Sequence, residues 1–282
     1  VQFRSLSIPE YQNGRVHGYQ AEIDPSSRGW SGGIYDESRR GWLAQNELKP
    51  EAKKAFKLGD VWNHYRIEAI GSTIRTWIND IPVTYLVDDM TAKGFIAFQV
   101  HAIYADMKPG MQVMWKNIRI QTGKDMQPRP LDKNVVVDNY LLNNVSPLEK
   151  EQGFRLLFNG KDLTGWKHVG GGSRFVENGL LASKGGMGLL YWAGGKLGNC
   201  QIRVVYKMQN FNSNSGVFIR VPAEPKEEWM PVFYGYEVQI DNHPETSNED
   251  EYHISGTLYA FTKPKSKPGK PGPEWNTLLI TL

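Results

Sequence analysis

Two seven-residue stretches carry amide and carboxylate groups at alternate positions. GYQAEID (18–24) sets Gln20, Glu22 and Asp24 two apart, and GYEVQID (235–241) does the same with Glu237, Gln239 and Asp241. Residues two apart share one face of a strand. Tyr19, Ala21 and Ile23 in the first stretch, and Tyr236, Val238 and Ile240 in the second, are the sets that belong in a core, so the polar sets face away from it. Such a row reads hydroxyl groups through hydrogen bonds, and a well-placed carboxylate moves protons. Glu22 and Asp24 stand roughly 6.6 Å apart along a strand, not far from the roughly 5–5.5 Å between the two carboxylates of a retaining glycosidase. The second stretch has Gln239 and Asp241 at those positions, so the carboxylate pair is not repeated.

Further polar residues fall on the same faces. In VFIRV (217–221) Arg220 alternates with the apolar set, and Arg4 does so in VQFRS (1–5). Gln99 and His101 alternate with Ile96, Phe98 and Val100. The first half of the chain therefore offers Arg4, Gln20, Glu22, Asp24, Gln99 and His101, and the second half Arg220, Glu237, Gln239 and Asp241. An antiparallel sheet with one wet face is also polar there, but a plain solvent face is richer in Lys, Thr and Ser. Trp30, Tyr35, Trp42 and Tyr259 are suited to stacking on sugar rings, and equally to ordinary core or edge packing.

Other chemistries find less support. The six histidines form no HxH or HExxH spacing. Asp241-Asn242-His243 brings oxygen and nitrogen donors together, as an Asx turn also would, so a divalent metal is neither required nor excluded. Ser215, in NSNSGV, sits in turn-like company. VGGGS (169–173) and KGGMG (184–188) match neither a dinucleotide fingerprint nor a P-loop and read as loops. Cys200 is the only cysteine, which rules out a disulfide within the chain, and its apolar setting reads as a buried structural thiol. A net charge of +3 is too small for a nucleic-acid footprint. No apolar run reaches the length of a transmembrane helix.

The elements that must position these residues are strands. VFIRV, YEVQI, YRIEA, IRTWI, FIAFQVHA, MQVMWKNIRIQ and CQIRVVYKM are rich in Val, Ile and aromatics and are separated by Gly, Pro, Asn and Asp. Asn79-Asp80 predicts a hairpin turn. Ser146-Pro147-Leu148-Glu149 predicts a capped helix, with Ser as N-cap, Pro at N1 and Glu at N3. Many short strands predict an all-β sandwich.

The two stretches belong to a longer repeat. VQFRS matches VFIRV, GYQAEID matches GYEVQID, SGGIYD (31–36) matches SGTLYA (255–260), and WNHYRIEA (62–69) matches WNTLLITL (275–282), in the same order. Val1 to Gly18 is 17 positions and Val217 to Gly235 is 18. Such order and spacing predict a tandem duplication. About 60 residues follow the first WN block without a counterpart in the second copy, and about 60 precede VFIRV without one in the first. The pattern predicts the rear two-thirds of one domain at 1–124, a linker with a short helix at 125–152, and the front two-thirds of a second domain at 153–282.

LFNGKDLTGW (157–166), NSGVFIR (214–220), GYEVQID, SGTLYA, WN (275–276) and GFIAFQVH with WKNIRI (94–120) together resemble the bacterial 3-keto-disaccharide hydrolase family. The resemblance implies a concanavalin A-like jelly-roll and a glucoside substrate already oxidised to a ketone at C3. It implies a base, for which Glu237 or Glu22 is the candidate, a cation for the enolate oxygen, Arg220 or Arg4, and His101 as acid or metal ligand. Gln239, Asp241, Gln20, Asp24, Gln99, Tyr259 and Tyr35 would contact the sugar. The company this family keeps implies a periplasmic or extracellular bacterial protein. The first copy departs from the second in having Gln20 where the second has Glu237, and Glu22 where it has Gln239. Two other readings stay open. One is a conventional jelly-roll glycoside hydrolase, although Pro25-Ser26-Ser27-Arg28 after Asp24 lacks the further Glu such glucanases carry. The other is a noncatalytic carbohydrate-binding module on the same scaffold.

Overall fold

The computed structural model describes residues 1–46, 49–101, 110, 112–124, 126–210, 213–241, 251–266, 269–270 and 273–282. The chain divides into two compact units, Val1–Leu156 and Leu157–Leu282. Strands dominate both, as the Val, Ile and aromatic runs predict.

The first unit is a sandwich of two sheets. One sheet contains β1 (Gln2–Leu6), β2 (His17–Ala21), β3 (Ile34–Glu37) and β4 (Gly41–Ala44), and opposite it lie β5 (Tyr65–Ile70), β6 (Thr73–Ile78) and β7 (Ile81–Val87). β8 (Phe95–Ala97) returns to the first sheet, giving the order β4-β3-β2-β1-β8. The core lies between the layers. Phe3, Tyr19, Ala21, Ile34, Leu43 and Ala44 from the first sheet meet Ile74 and Leu86 from the second. Each fully buried aliphatic side chain there stabilises by about 1.5–3 kcal/mol. Asn79 and Asp80 both have positive φ (50° and 68°) between β6 and β7, and Ile78 pairs with Ile81, so the expected hairpin turn is present in its primed form. α1 (Pro50–Ala55) was not anticipated. It starts with Pro at N1 and buries Ala52 and Ala55 against Ile78 and Val83.

A buried polar network ties β3 and its turn to the far end of β7. Asp36 is fully buried and receives Arg39 at 2.6 Å and Arg40 at 2.6 Å. Arg40 also forks onto Asp88, at 2.7 and 3.0 Å, and the Tyr19 hydroxyl donates to the same carboxylate. Burial, then the Asp88 carboxylate, pushes the Tyr19 phenol up to about 12. Burial alone would raise Asp88, but Arg40 and the Tyr19 hydroxyl outweigh it and hold that carboxyl below its usual range.

The segment expected as a linker, 125–152, is built into the first unit where it is described. β9 (Val137–Asn139) adds to the second sheet as a parallel partner of β7. Val137 and Leu148 are buried with Tyr85 and Val87, and Leu131, Val135 and Leu141 pack around them. Glu68, from β5, takes Arg75 at 2.5 Å and the Arg129 backbone N–H at 3.0 Å. α2 (Pro147–Glu151) has the predicted capping box in full, with Ser146 and Glu149 each bonding the other's backbone N–H. Residues 126–136 run ahead of β9 as a strap without regular secondary structure.

Two expected strands fall short. FIAFQVHA forms a ladder only over Phe95–Ala97, because β1 offers partners only from Gln2 to Ser5. MQVMWKNIRIQ carries a strand-like alternation, yet its described part, 112–121, forms no strand. A strand needs a neighbour for its backbone groups, and Val113, Met114, Ile118 and Ile120 are exposed.

The second unit consists of antiparallel pairs. β10 (Trp166–Gly170) pairs with β13 (Gly188–Trp192), and β11 (Ser173–Glu177) with β12 (Leu180–Lys184). The tracts 170–173 and 184–188 connect them, as loops were expected to. β14 (Gln201–Lys207) pairs with β17 (Trp275–Thr281), and β15 (Ser215–Ile219) with β16 (Tyr236–Ile240), which follows the short α3 (Met230–Tyr234). Ile219 and Val238 from β15 and β16 pack on Ile280 from β17, with Ile202 and Leu278 beside them. Cys200, just before β14, is partly exposed rather than buried.

Candidate active site

Register explains why the polar residues of the first unit converge. Gln2 pairs with Ala97 and with Gln20, Gln20 with Tyr35, and Tyr35 with Trp42. Directly paired residues share a face, so this row runs across the sheet on the side away from the core. The row borders a cleft of about 460 Å³ lined by Gln20, Glu22, Ile23, Asp24, Pro25, Arg28, Tyr35, Glu37, Trp42, Gln99 and His101. Five of the residues proposed from alternation thus line one cleft, Gln20, Glu22, Asp24, Gln99 and His101, together with Tyr35, proposed for sugar stacking.

Glu22 stands one residue beyond the end of β2. Its backbone still belongs to the sheet, with its N–H on Gly33 O at 3.0 Å and its carbonyl receiving Gly32 at 2.9 Å. From the opposite sheet, the Tyr65 hydroxyl donates to the same carbonyl at 3.2 Å. Burial, reinforced by the Glu22 and Asp24 charges, raises the Tyr65 phenol and keeps it a donor. The Glu22 carboxylate accepts from Gln20 Nε2 at 3.0 Å and from the Ile23 N–H at 3.0 Å. Gln20 in turn accepts from Gln2 Nε2 at 3.4 Å. The carboxylate is therefore fixed in direction by a buried amide chain, and lone pairs remain toward the cleft.

Asp24 anchors the loop that follows. Its N–H donates to Ser31 Oγ at 2.8 Å, and its carboxylate accepts from Ser26 N at 3.0 Å and Arg28 Nε at 3.1 Å. Burial works to raise this carboxyl, but the Ser26 bonds and Arg28 together lower it. The Arg28 guanidinium lies 4.6 Å from the Trp30 ring centre and 5.7 Å from that of Trp42. Trp42 meets Trp30 and Tyr35 edge-on, at 4.7 and 5.3 Å between ring centres. Tyr35 and Trp42 form an aromatic wall of the cleft. Ile23, expected in the core, lines the cleft instead, because strand alternation stops at Ala21.

Arg4 is not in the cleft. β1 carries an irregularity between Phe3 and Leu6, Arg4 has φ 47°, and Gly18 opposite has φ 137°, where a Cβ would press on Ser5. The kink turns the Arg4 side chain toward the other sheet, where it donates to Gly71 O at 2.8 Å and Ala69 O at 2.9 Å. Arg220 has the same positive φ (56°) just past β15, and it bonds Asn199 Oδ1 at 3.1 Å rather than joining Glu237. Both arginines were assigned by extending alternation too far, through an irregularity at Arg4 and past the end of the strand at Arg220. The guanidinium in the cleft is that of Arg28, which sequence reasoning passed over because it lies in a loop. Gln2 and Glu37 were likewise left out of the site. Gln2 alternates with Phe3 and was detectable from that alone.

The second unit repeats the frame with different groups. Asp241 N donates to Ser255 Oγ at 2.8 Å, as Asp24 N does to Ser31. Gln239 N bonds Thr257 O at 3.0 Å and Gly256 N bonds Gln239 O at 2.9 Å, matching the two bonds of Glu22. The Asp241 carboxylate takes Asn214 Nδ2 at 2.8 Å. Val238 bridges Leu258, and the Tyr259 N–H bonds Glu237 O at 2.9 Å, which sets Tyr259 across from Glu237 as Tyr35 is from Gln20. Asn63 and Asn276, one from each WN pair, each bond both backbone groups of the residue six before, Lys57 and Lys270.

Among the described residues, no three His, Cys, Asp or Glu side chains come together as metal ligands. Asn242 and His243 lie outside the described residues. No described helix is long and apolar enough to cross a membrane.

Comparison with known proteins adds to this geometry. A search of curated proteins finds no match. Among solved structures, the chain is similar to "a putative glycosyl hydrolase" from Parabacteroides distasonis, with 32% identity over 49% of this chain and 68% of that one, at a TM-score of 0.43. The family model described as a 3-keto-alpha-glucoside-1,2-lyase-like domain matches residues 1–121 and 153–282. With nearly the whole sequence so matched, the chain belongs to the 3-keto-alpha-glucoside-1,2-lyase-like domain family.

Proposed function

We propose that the first unit's cleft cleaves the glycosidic bond of glucosides carrying a ketone at C3. The observation that carries this reading is the convergence of Gln20, Glu22, Asp24, Gln99 and His101, from segments far apart in sequence, on one cleft walled by Tyr35 and Trp42. A ketone at C3 acidifies the C2 proton. Glu22 takes that proton, and the electron pair moves into the C2–C3 bond and onto the ketone oxygen. The enolate then expels the C1 substituent, the C1–O bond breaks, and an enone remains. His101 or the protonated Glu22 supplies the leaving oxygen with its proton. Addition of water across the C1–C2 double bond, OH at C1 and H at C2, completes a net hydrolysis.

The residues divide the work. A carboxylate oriented by Gln20 and a backbone N–H needs little reorganisation before reacting. Arg28 supplies the fixed positive charge for the enolate oxygen, the role that Arg4 cannot fill. Gln20 and Gln99 read ring hydroxyls, and Trp42 and Tyr35 take the ring face. We read the two units as duplicated copies of one domain, supported by the matching bonds around Asp24 and Asp241 and around Asn63 and Asn276.

The test is turnover of methyl 3-keto-α-glucoside against methyl α-glucoside. The reading expects release of methanol from the oxidised sugar alone, and loss of that release in Glu22→Gln. Equal cleavage of both sugars would instead identify a conventional glycosidase, and binding of both without cleavage a carbohydrate-binding module.

A further inference from the structure

The loop between two neighbouring strands is built from different residues in the two units. Between β1 and β2 it is mostly polar, with Ser7, Glu10, Gln12, Asn13 and Arg15, and it stays largely exposed although β8 is in place beside β1. The fold therefore leaves this loop in water. Its counterpart between β15 and β16 carries α3 and reads WMPVFY over 229–234. Pro231 is buried and pins the turn, and the Gly235 N–H closes it on Pro231 O at 2.8 Å. Trp229, Val232, Phe233 and Tyr234 are exposed, Phe233 by 72% and Tyr234 by 66%. A single exposed apolar side chain is ordinary, but several together on a loop that the fold does not bury mark an interaction surface.

The patch continues onto the neighbouring turn. Phe261 is 68% exposed and meets Tyr236, two residues past the end of α3, with ring centres 5.6 Å apart. In the first unit the Tyr11 hydroxyl donates to Ser38 O across the matching segments. Directly after Phe261, four lysines fall within residues 263–270, and Lys263 and Lys265 are exposed. Most carboxylates nearby are engaged. Glu251 lies 3.8 Å from Lys263 Nζ, and Glu224 takes Lys167 at 2.5 Å and the Tyr191 hydroxyl at 2.8 Å. Glu228 lies over Gly170 of β10, where a Cβ would overlap its side chain. Glu227 stands beside Lys226. The tip thus joins exposed aromatic side chains to an excess of positive charge.

We infer that this tip of the second unit docks on an anionic lipid surface, with Trp229, Phe233, Tyr234 and Phe261 seated at the boundary between headgroups and acyl chains and the lysines of 263–270 against the lipid phosphates. Trp and Tyr settle at that boundary because each combines a large apolar body with a hydrogen-bonding tip. Lysines beside them add an attraction to anionic headgroups that salt screens. One such signal attaches a protein weakly, and two together hold it. The charge selects the occupant, since only an anionic surface gains from four lysines next to the aromatic patch. Pro264, between Lys263 and Lys265, denies that pair a ladder hydrogen bond, so they present charge rather than a strand edge, as suits a fluid surface. The inference uses the correspondence between the two units and is independent of the catalytic reading of the first.

Co-sedimentation of the full chain with lipid vesicles tests it, comparing phosphatidylglycerol mixed into phosphatidylcholine with phosphatidylcholine alone. The expected result is pelleting with the anionic vesicles, little with the neutral ones, and release as salt is raised. Trp229→Ser with Phe233→Ser should weaken partitioning into the anionic vesicles by about tenfold or more, and Lys263→Glu with Lys265→Glu should do the same. All four side chains are exposed, so both variants should keep the native melting transitions. If one variant fails to fold, the other variant and the comparison of the two lipids still decide. Pelleting with neither vesicle, equal pelleting with both, or undiminished pelleting of a folded variant overturns the inference. A concentration-dependent dimer in light scattering, lost in Trp229→Ser with Phe233→Ser while the anionic vesicles leave the native chain in solution, would assign the patch to a second copy and likewise overturn it.

Discussion

Replacing Arg40 with methionine should show how much of the first unit's stability rests on one buried charge network. Arg40 bridges Asp36, which is fully buried, and Asp88, whose side chain is 4% exposed, while Arg40 itself keeps 28% exposure. Removing one member of a buried pair costs about 3–5 kcal/mol, because the partner charge stays behind without compensation. Two features favour the lower end, about 3 kcal/mol. Arg40 is partly solvated, and Asp36 retains Arg39 at 2.6 Å. For a unit of this size, about 3 kcal/mol corresponds to a fall in midpoint of roughly 6–12 °C. Differential scanning calorimetry of the full chain should show one transition moving by that amount and the other unmoved. Adding Asp88→Asn to Arg40→Met should recover part of the loss, since the stranded charge is then gone. A shift below about 1 kcal/mol would place the network with ordinary surface ion pairs and refute the claim that it fastens the turn leading into β4, the strand that carries Trp42.

Other expectations follow from the same geometry. Glu22→Gln preserves the shape of the side chain but removes the proposed base, so kcat on a 3-keto-glucoside should fall by about 10²–10⁴-fold, with KM little changed in steady-state kinetics. A chain cut after Lys124 loses Val137 and Leu148 from the core around Tyr85 and Val87, which should destabilise the unit by about 5 kcal/mol or more. A cut after Leu156 should leave it soluble, and hydrogen exchange of β7 reads the difference. Asp24 and Asp88 have lowered carboxyl pKa values in the fold. Their contribution to stability is therefore full above the unfolded carboxylate value of about 4 and lost as pH falls below it. The midpoint of the first unit should drop on acidification, and less steeply in Arg40→Met, where the Asp88 partner is absent.

Much of the cleft was legible because a strand has period two. Tyr19 and Ala21 go to the core, Gln20 turns away from it, and cross-strand register brings Tyr35 and Trp42 alongside. The same rule failed where the backbone leaves the strand. Arg4 and Arg220 both have positive φ, and one kinked residue in β1 suffices to send a guanidinium to the opposite sheet. Ile23 and Arg28 lie past the end of β2, where no period applies, and only the fold shows that the loop bends back over Trp30 and Trp42. The capping box at Ser146 was readable because all its partners are local. That the helix and the strap before it complete the first sandwich was not, since Glu68–Arg129 and Tyr85–Leu148 are contacts between distant segments. The apolar alternation of 112–120 speaks to the ability to form a strand, and a ladder also needs a neighbour.

The claim that Glu22 acts by removing the C2 proton of a 3-keto sugar is tested most directly with substrate deuterated at C2. Single-turnover rates on methyl 3-keto-α-glucoside with hydrogen and with deuterium at C2 should differ, the deuterated sugar reacting several-fold more slowly, and Glu22→Gln should lose the reaction with either. Equal rates for the two sugars at a chemistry-limited step, or cleavage undiminished in Glu22→Gln, would contradict the account.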